Sequence, residues 1–132
     1  MNWRARIILA SVDQGLPEWV VLFADGWVTV EGEDPFLVDQ AAFDMIYANF
    51  ARRGNDIVID YEHRTLKGDK APAAGWITDL KYEPGIGISG RVRWTDEAAG
   101  YIKAGQYRYH SPVFYVRDID KRVVSLHSVA LT

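Results

Sequence analysis

From Ile86 to Trp94 the residues Ile86, Ile88, Gly90, Val92 and Trp94 fall on alternate positions. Period two is the spacing of a strand that buries one face, and a helix would scatter the same set around its axis. A second β-prone run, Ala74 to Tyr82, precedes it across Glu83-Pro84-Gly85, so the pair reads as two joined strands. Other short runs repeat the theme. Arg4 to Ser11 reads as a first strand. Trp19 to Val30 is apolar and broken by Asp25-Gly26, a pair that signals a hairpin between β-prone runs. Ile57 to Tyr61 reads as a short buried strand. Tyr107 to Arg117 and Val123 to Leu131 read as two more around Asp118-Ile119-Asp120.

Two helices interrupt this series. In Asp39 to Arg53, the residues Phe43, Ile46, Tyr47 and Phe50 follow i, i+3, i+4, i+7, the spacing of one buried helix face. Asp39 suits the N-cap, Val38 and Phe43 suit a hydrophobic staple, and Arg52, Arg53 and Gly54 suit the C-terminal end. Thr95 caps a shorter helix from Asp96 to Ala104, closed by Gly105. The fold class expected is therefore α+β and β-rich: a closed or partly closed antiparallel β-barrel flanked by helices.

The 132 residues read as one domain, 1–132, without repeats or linkers. Five Trp, seven Tyr and five Phe supply enough bulk for a core without a metal or disulfide staple. The chain has no cysteine, which removes thiol catalysis and cysteine zinc sites. A net charge of −3 disfavours nucleic acid as partner. No apolar run approaches the roughly 20 residues of a membrane helix, and the start Met1-Asn2-Trp3-Arg4 lacks a secretory h-region. No cofactor and no membrane partner is expected. The strand pattern runs up to Thr132 without a turn signal, so an N-terminal portion of a longer protein is expected.

Candidate chemistry rests on few residues. The histidines are His63, His110 and His127. A serine nucleophile needs a base within hydrogen-bond reach and a third group to orient that base. His63 follows a buried strand and opens a polar loop, but it also reads as a surface histidine beside Asp60 and Glu62. Ser111 precedes Pro112 and reads equally as an ordinary extended residue. His127 lies in an apolar strand, where a histidine is commonly a satisfied core residue. His110 should face away from Ser111 if that segment is extended. Asp60 and His63 have a plausible metal-ligand spacing, but a third ligand is not evident.

Several blocks occur together in order. They are Asp60-Tyr61-Glu62-His63-Arg64-Thr65-Leu66, Ala71-Pro72-Ala73-Ala74-Gly75-Trp76-Ile77, Tyr107-Arg108-Tyr109 with Ser111-Pro112-Val113-Phe114, and Ala130-Leu131-Thr132. Together they resemble the I proteins of phage Mu and Mu-like prophages, a family of capsid-assembly proteases distantly similar to tailed-phage prohead proteases and herpesvirus assemblins. The resemblance runs from about Asp56 to the end and is loose before Asp39. It implies a serine endopeptidase with a herpesvirus-protease-like barrel. It puts the nucleophile on Ser111, the base on His63 and the orienting residue on His127, a Ser-His-His set; Asp60 is the alternative for the third role. It implies scaffold and capsid proteins as substrates, self-cleavage, a homodimer, and work in the bacterial host's cytoplasm inside the assembling prohead. Two rivals remain: a non-enzymatic scaffold or capsid-interaction module of the same fold, and a metal hydrolase using Asp60, His63 and another histidine.

Overall fold

The structure is a computed structural model, and it describes residues 5–6, 16–29, 32–68 and 72–132. Among these residues nine strands and two α-helices follow in the order β1 (Ala5–Arg6), β2 (Trp19–Ala24), β3 (Gly26–Val28), β4 (Phe36–Val38), α1 (Gln40–Arg53), β5 (Ile57–Tyr61), β6 (Gly75–Glu83), β7 (Gly87–Trp94), α2 (Asp96–Lys103), β8 (Tyr109–Val116) and β9 (Val123–Leu131). Of the first strand expected over Arg4–Ser11, only Ala5–Arg6 lies within the described residues.

Both helices form where their caps and apolar spacing place them. The Asp39 carboxylate accepts from the Ala42 amide at 2.9 Å, and Gly54 closes α1 in the left-handed region. Thr95 caps α2 through the Ala98 amide at 3.2 Å. On α1, Ile46 is fully buried, but Tyr47 leaves 39% of its surface exposed and Ala42 takes its share of the core.

The main sheet has the order β1-β8-β9-β5-β6-β7-β2, and β3 pairs with β4 in a separate ribbon. The sheet curls until its far strands approach. His110 Nε2 on β8 donates to the Val21 carbonyl on β2 at 2.8 Å. Beneath that link, Phe114 meets Phe23 edge-on at 5.0 Å and also packs on Phe36. Among the described residues no ladder joins β2 to β8, so the sheet is a partly closed, open barrel.

Two expectations are corrected. The sheet is not wholly antiparallel, because β5 and β9 run parallel, with Ile59, Asp60 and Tyr61 opposite Val129, Ala130 and Leu131. All six residues are buried, the condition in which parallel pairing is found. Asp25-Gly26 does not close a hairpin either. β2 pairs with β7 and β3 with β4. Asp25 instead accepts from the Tyr82 hydroxyl at 2.6 Å and from the Gly85 amide at 2.7 Å, which ties it to the β6–β7 turn. Those bonds lower the Asp25 carboxyl below its ordinary range and push the Tyr82 hydroxyl up to about 12. Tertiary partners here outweigh the local turn preference.

Candidate active site

Pairing register decides which side chains share a face. Paired residues in a sheet point the same way, and neighbours along a strand point oppositely. Ser111 pairs with Ala130, and Ala130 pairs with Asp60. These three therefore form one row on one side of the curled sheet, and all three are buried. The adjacent row, His110, Leu131 and Tyr61, faces the interior. His110 thus points away from Ser111, as an extended segment requires, and its ring is spent on Val21.

The interior row ends in an aromatic cluster. Tyr61 lies 5.5 Å from Tyr107 and 6.2 Å from Tyr101, ring centre to ring centre. Burial raises the Tyr61 hydroxyl above its ordinary value, so it stays neutral near pH 7.

His63 stands just past β5. The Glu62 amide donates to the Leu131 carbonyl at 3.0 Å and extends the β5–β9 pairing by one residue. Glu62 and His63 then both adopt positive φ, 55° and 59°. Two consecutive non-glycine residues in that region are uncommon and strained, a condition that recurs at functional sites. The strain turns the chain into the 3-10 segment Arg64–Lys67, where the Leu66 amide donates to the His63 carbonyl at 3.0 Å. The imidazole makes no capping bond there, and its Nδ1 is buried without a hydrogen-bond partner.

Ser111 is the third residue of β8 and only 5% exposed. It lies near the end of the sheet where β5 and β9 finish and β8 begins. The Tyr109 and Arg108 amides donate to the Thr132 carbonyl at this same end, at 2.9 and 3.1 Å. Ser111 and His63 therefore belong to one end of the sheet.

His127 lies elsewhere. Val113 pairs with Ser128 and Phe114 with Leu126, which leaves His127 as the extra residue of a β-bulge. It stands four residues before Leu131, about 13 Å along the strand at roughly 3.3 Å per residue, from the level where β5 ends. Its Nδ1 lies 3.0 Å from the Ser128 hydroxyl, and its carbonyl accepts from Arg53 at 3.4 Å. Asp60, by contrast, is fully buried, three residues from His63 and in the row of Ser111. Reading the sequence alone passed over Ser128, which is fully buried and two positions from Ala130 on the same face. Period two from Ala130 to Ser128 carries that signal once the strand's face is known. Among the described residues, no three His, Asp or Glu side chains gather to hold a metal ion. No helix among them is long and apolar enough to cross a membrane.

Comparison with known proteins gives the family. Residues 20–132 match the family model described as Mu-like prophage I protein, N-terminal domain. The chain belongs to that family. The match begins well before Asp56, so the I-protein likeness also takes in β2 to α1, which the motif blocks did not reach. Within the I-protein relatives, the chain is 29% identical over 111 residues to Protease I of Escherichia phage Mu. The alignment covers 78% of this chain and 31% of the phage protein, so the chain spans about a third of that relative's length. No solved structure matches this chain.

Proposed function

We propose that this chain is the catalytic domain of a phage serine endopeptidase that cleaves scaffold and prohead proteins as capsids mature. The observation that carries the reading is the family match across His63 and Ser111, with a relative named as a protease. The placement of Ser111 and His63 at one end of the sheet supports it.

In this reading His63 takes the Ser111 proton as Ser111 Oγ attacks the scissile carbonyl. The proton passes to the departing amine and leaves an acyl-enzyme. Water, deprotonated by His63, then releases the acid and restores Ser111. Preorganised donors must hold the oxyanion in both steps. The resemblance gives the orienting role to His127, while the register supports Asp60. A carboxylate also stabilises the imidazolium better than a second imidazole does. Scaffold and capsid proteins are the substrates, self-cleavage and a homodimer belong to the same reading, and the host cytoplasm, within the prohead, is its place of work.

The near-complete burial of Ser111 favours a second reading, a non-enzymatic scaffold or capsid-interaction module of the same fold. A fluorophosphonate probe separates the two. Labelling of the wild type and none of Ser111→Ala, together with scaffold cleavage lost in that variant, supports the protease. A folded wild type that neither labels nor cleaves supports the module.

A further inference from the structure

The face of the sheet that carries Ser111 is buried at Ser111, Ala130 and Asp60, and beyond them it bears an open groove lined by Arg53, Asn55, Asp56, Val58, Trp76 and Arg93. Val58 pairs with Trp76 and Trp76 with Arg93, so these three form a row across β5, β6 and β7. Val58 lies two residues before Asp60 and so faces the same side as the row Asp60, Ala130, Ser111. The groove and Ser111 thus lie on the same side of the sheet.

Its chemistry is specific. Trp76 leaves 37% of its surface exposed in the middle of this row, beside half-buried Val58. Arg93 is exposed and has no hydrogen-bonding or ionic partner among the described residues. Arg53 spends its guanidinium on the carbonyls of Leu126 and His127, which leaves its charge uncompensated by a carboxylate. Two guanidiniums against the one carboxylate of Asp56 make the groove net positive around an exposed indole.

We propose that this groove holds the substrate polypeptide away from the bond that Ser111 attacks. An apolar side chain lies against Trp76 and Val58, and a carboxylate meets Arg93 and Arg53. The proposal rests on Ser111 being the nucleophile. Trp76 is three strands and one row from Ser111. At about 4.8 Å per strand and about 7 Å per row, the span is roughly 16 Å, or about five residues of extended peptide. The substrate class is therefore a chain with adjacent apolar and acidic residues about five positions from the cleaved bond.

A positional library of quenched fluorogenic dodecapeptides tests this, each position varied between Leu and Ser and among Glu, Gln and Lys. The wild type should prefer Leu and Glu about five residues from the cut. Trp76→Ala should erase the preference for Leu and lower kcat/KM by about tenfold, chiefly through KM, the scale of one lost apolar contact. Arg93→Glu should exchange the preference for Glu with one for Lys. Reaction with the small fluorophosphonate probe reports whether Ser111 is intact in each variant. Unchanged preferences in variants of a wild type that cleaves overturn the groove and leave the protease standing. A wild type that neither labels nor cleaves overturns the nucleophile, and the groove's role falls with it. Variants that lose labelling along with cleavage also overturn the proposal, because the effect is then on the fold.

Discussion

Ser111 and Asp60 face the same side of the sheet from either flank of Ala130. β9 separates them, so their Cα atoms stand two strand spacings apart, about 10 Å. An imidazole reaching in from the end of β5 can lie between the two side chains, and His63 is three residues from Asp60. His127 enters from further down β9, at a bulge, with its ring turned to Ser128.

That placement predicts an order of effects. Asp60→Asn should lower kcat/KM by on the order of 10²–10⁴, the cost of losing a group that holds a catalytic imidazole in its tautomer. His127→Ala should cost far less. Steady-state cleavage, with the unfolding midpoint measured alongside, decides the matter; the reverse order would give the orienting role to His127.

His110 predicts a pH dependence of stability. Its Nε2 donates to a carbonyl, so Nδ1 is bare, and that nitrogen is buried without a partner. Burial lowers the His110 pKa below 6.5. The unfolded chain then binds the proton more readily than the folded one between the folded pKa and 6.5. Stability contributed by His110 is full above pH 6.5 and is lost as pH falls toward the folded pKa. Denaturant midpoints should drop between pH 7 and pH 5, and His110→Gln, which can keep a donor for Val21, should flatten that slope.

Arg122 predicts the acid limb. Its guanidinium bonds the Asp39 carboxylate at 3.1 Å and the Asp120 carboxylate at 2.9 Å. The bond from Arg122 lowers the Asp39 carboxyl, and the bond from Arg117 is the main cause holding Asp120 well below the carboxylate range. Carboxyls depressed by folding add stability above their unfolded pKa near 4, and that stability is lost as pH falls through the folded values. Arg122→Gln should therefore make stability less steep in pH from about 5 downward. Asp39→Ala removes the α1 cap as well and should cost about 1 kcal/mol at neutral pH by thermal unfolding.

Two glycines of β7 should respond differently to alanine. At Gly87, φ is 129° and an added Cβ would fall 1.9 Å from the Phe23 carbonyl oxygen. Backbone cannot yield there, so Gly87→Ala should break the β2–β7 register and leave little folded protein at 37 °C. At Gly90 the nearest atoms are the side-chain methyls of Leu22 and Ile77, at 3.0 and 3.1 Å. Those can shift, so Gly90→Ala should fold with a lowered melting temperature. Circular dichroism melts of both variants check the contrast.

Local pattern alone determined a good deal of this protein. Val123–Leu131 is a strand over the expected bounds, and Asp39, Gly54 and Thr95 cap their helices as residues of their kind do. Such features depend on neighbours within a few positions, which the sequence displays directly. The motif blocks around His63 and Ser111 pointed to the family that residues 20–132 match. Tertiary structure decided what depends on distant partners. Asp25 abandons its turn for Tyr82 and Gly85, some 60 positions along the chain. The strand Phe36–Val38 carries no local signature, because it forms by pairing with β3 and with Arg122 and by packing Phe36 on Phe114. The parallel register of β5 and β9 put Asp60 in the row of Ser111 and left His127 at a bulge. Strand pairing is non-local, and a shift of one residue exchanges the faces, so only the folded sheet could assign those side chains to a side.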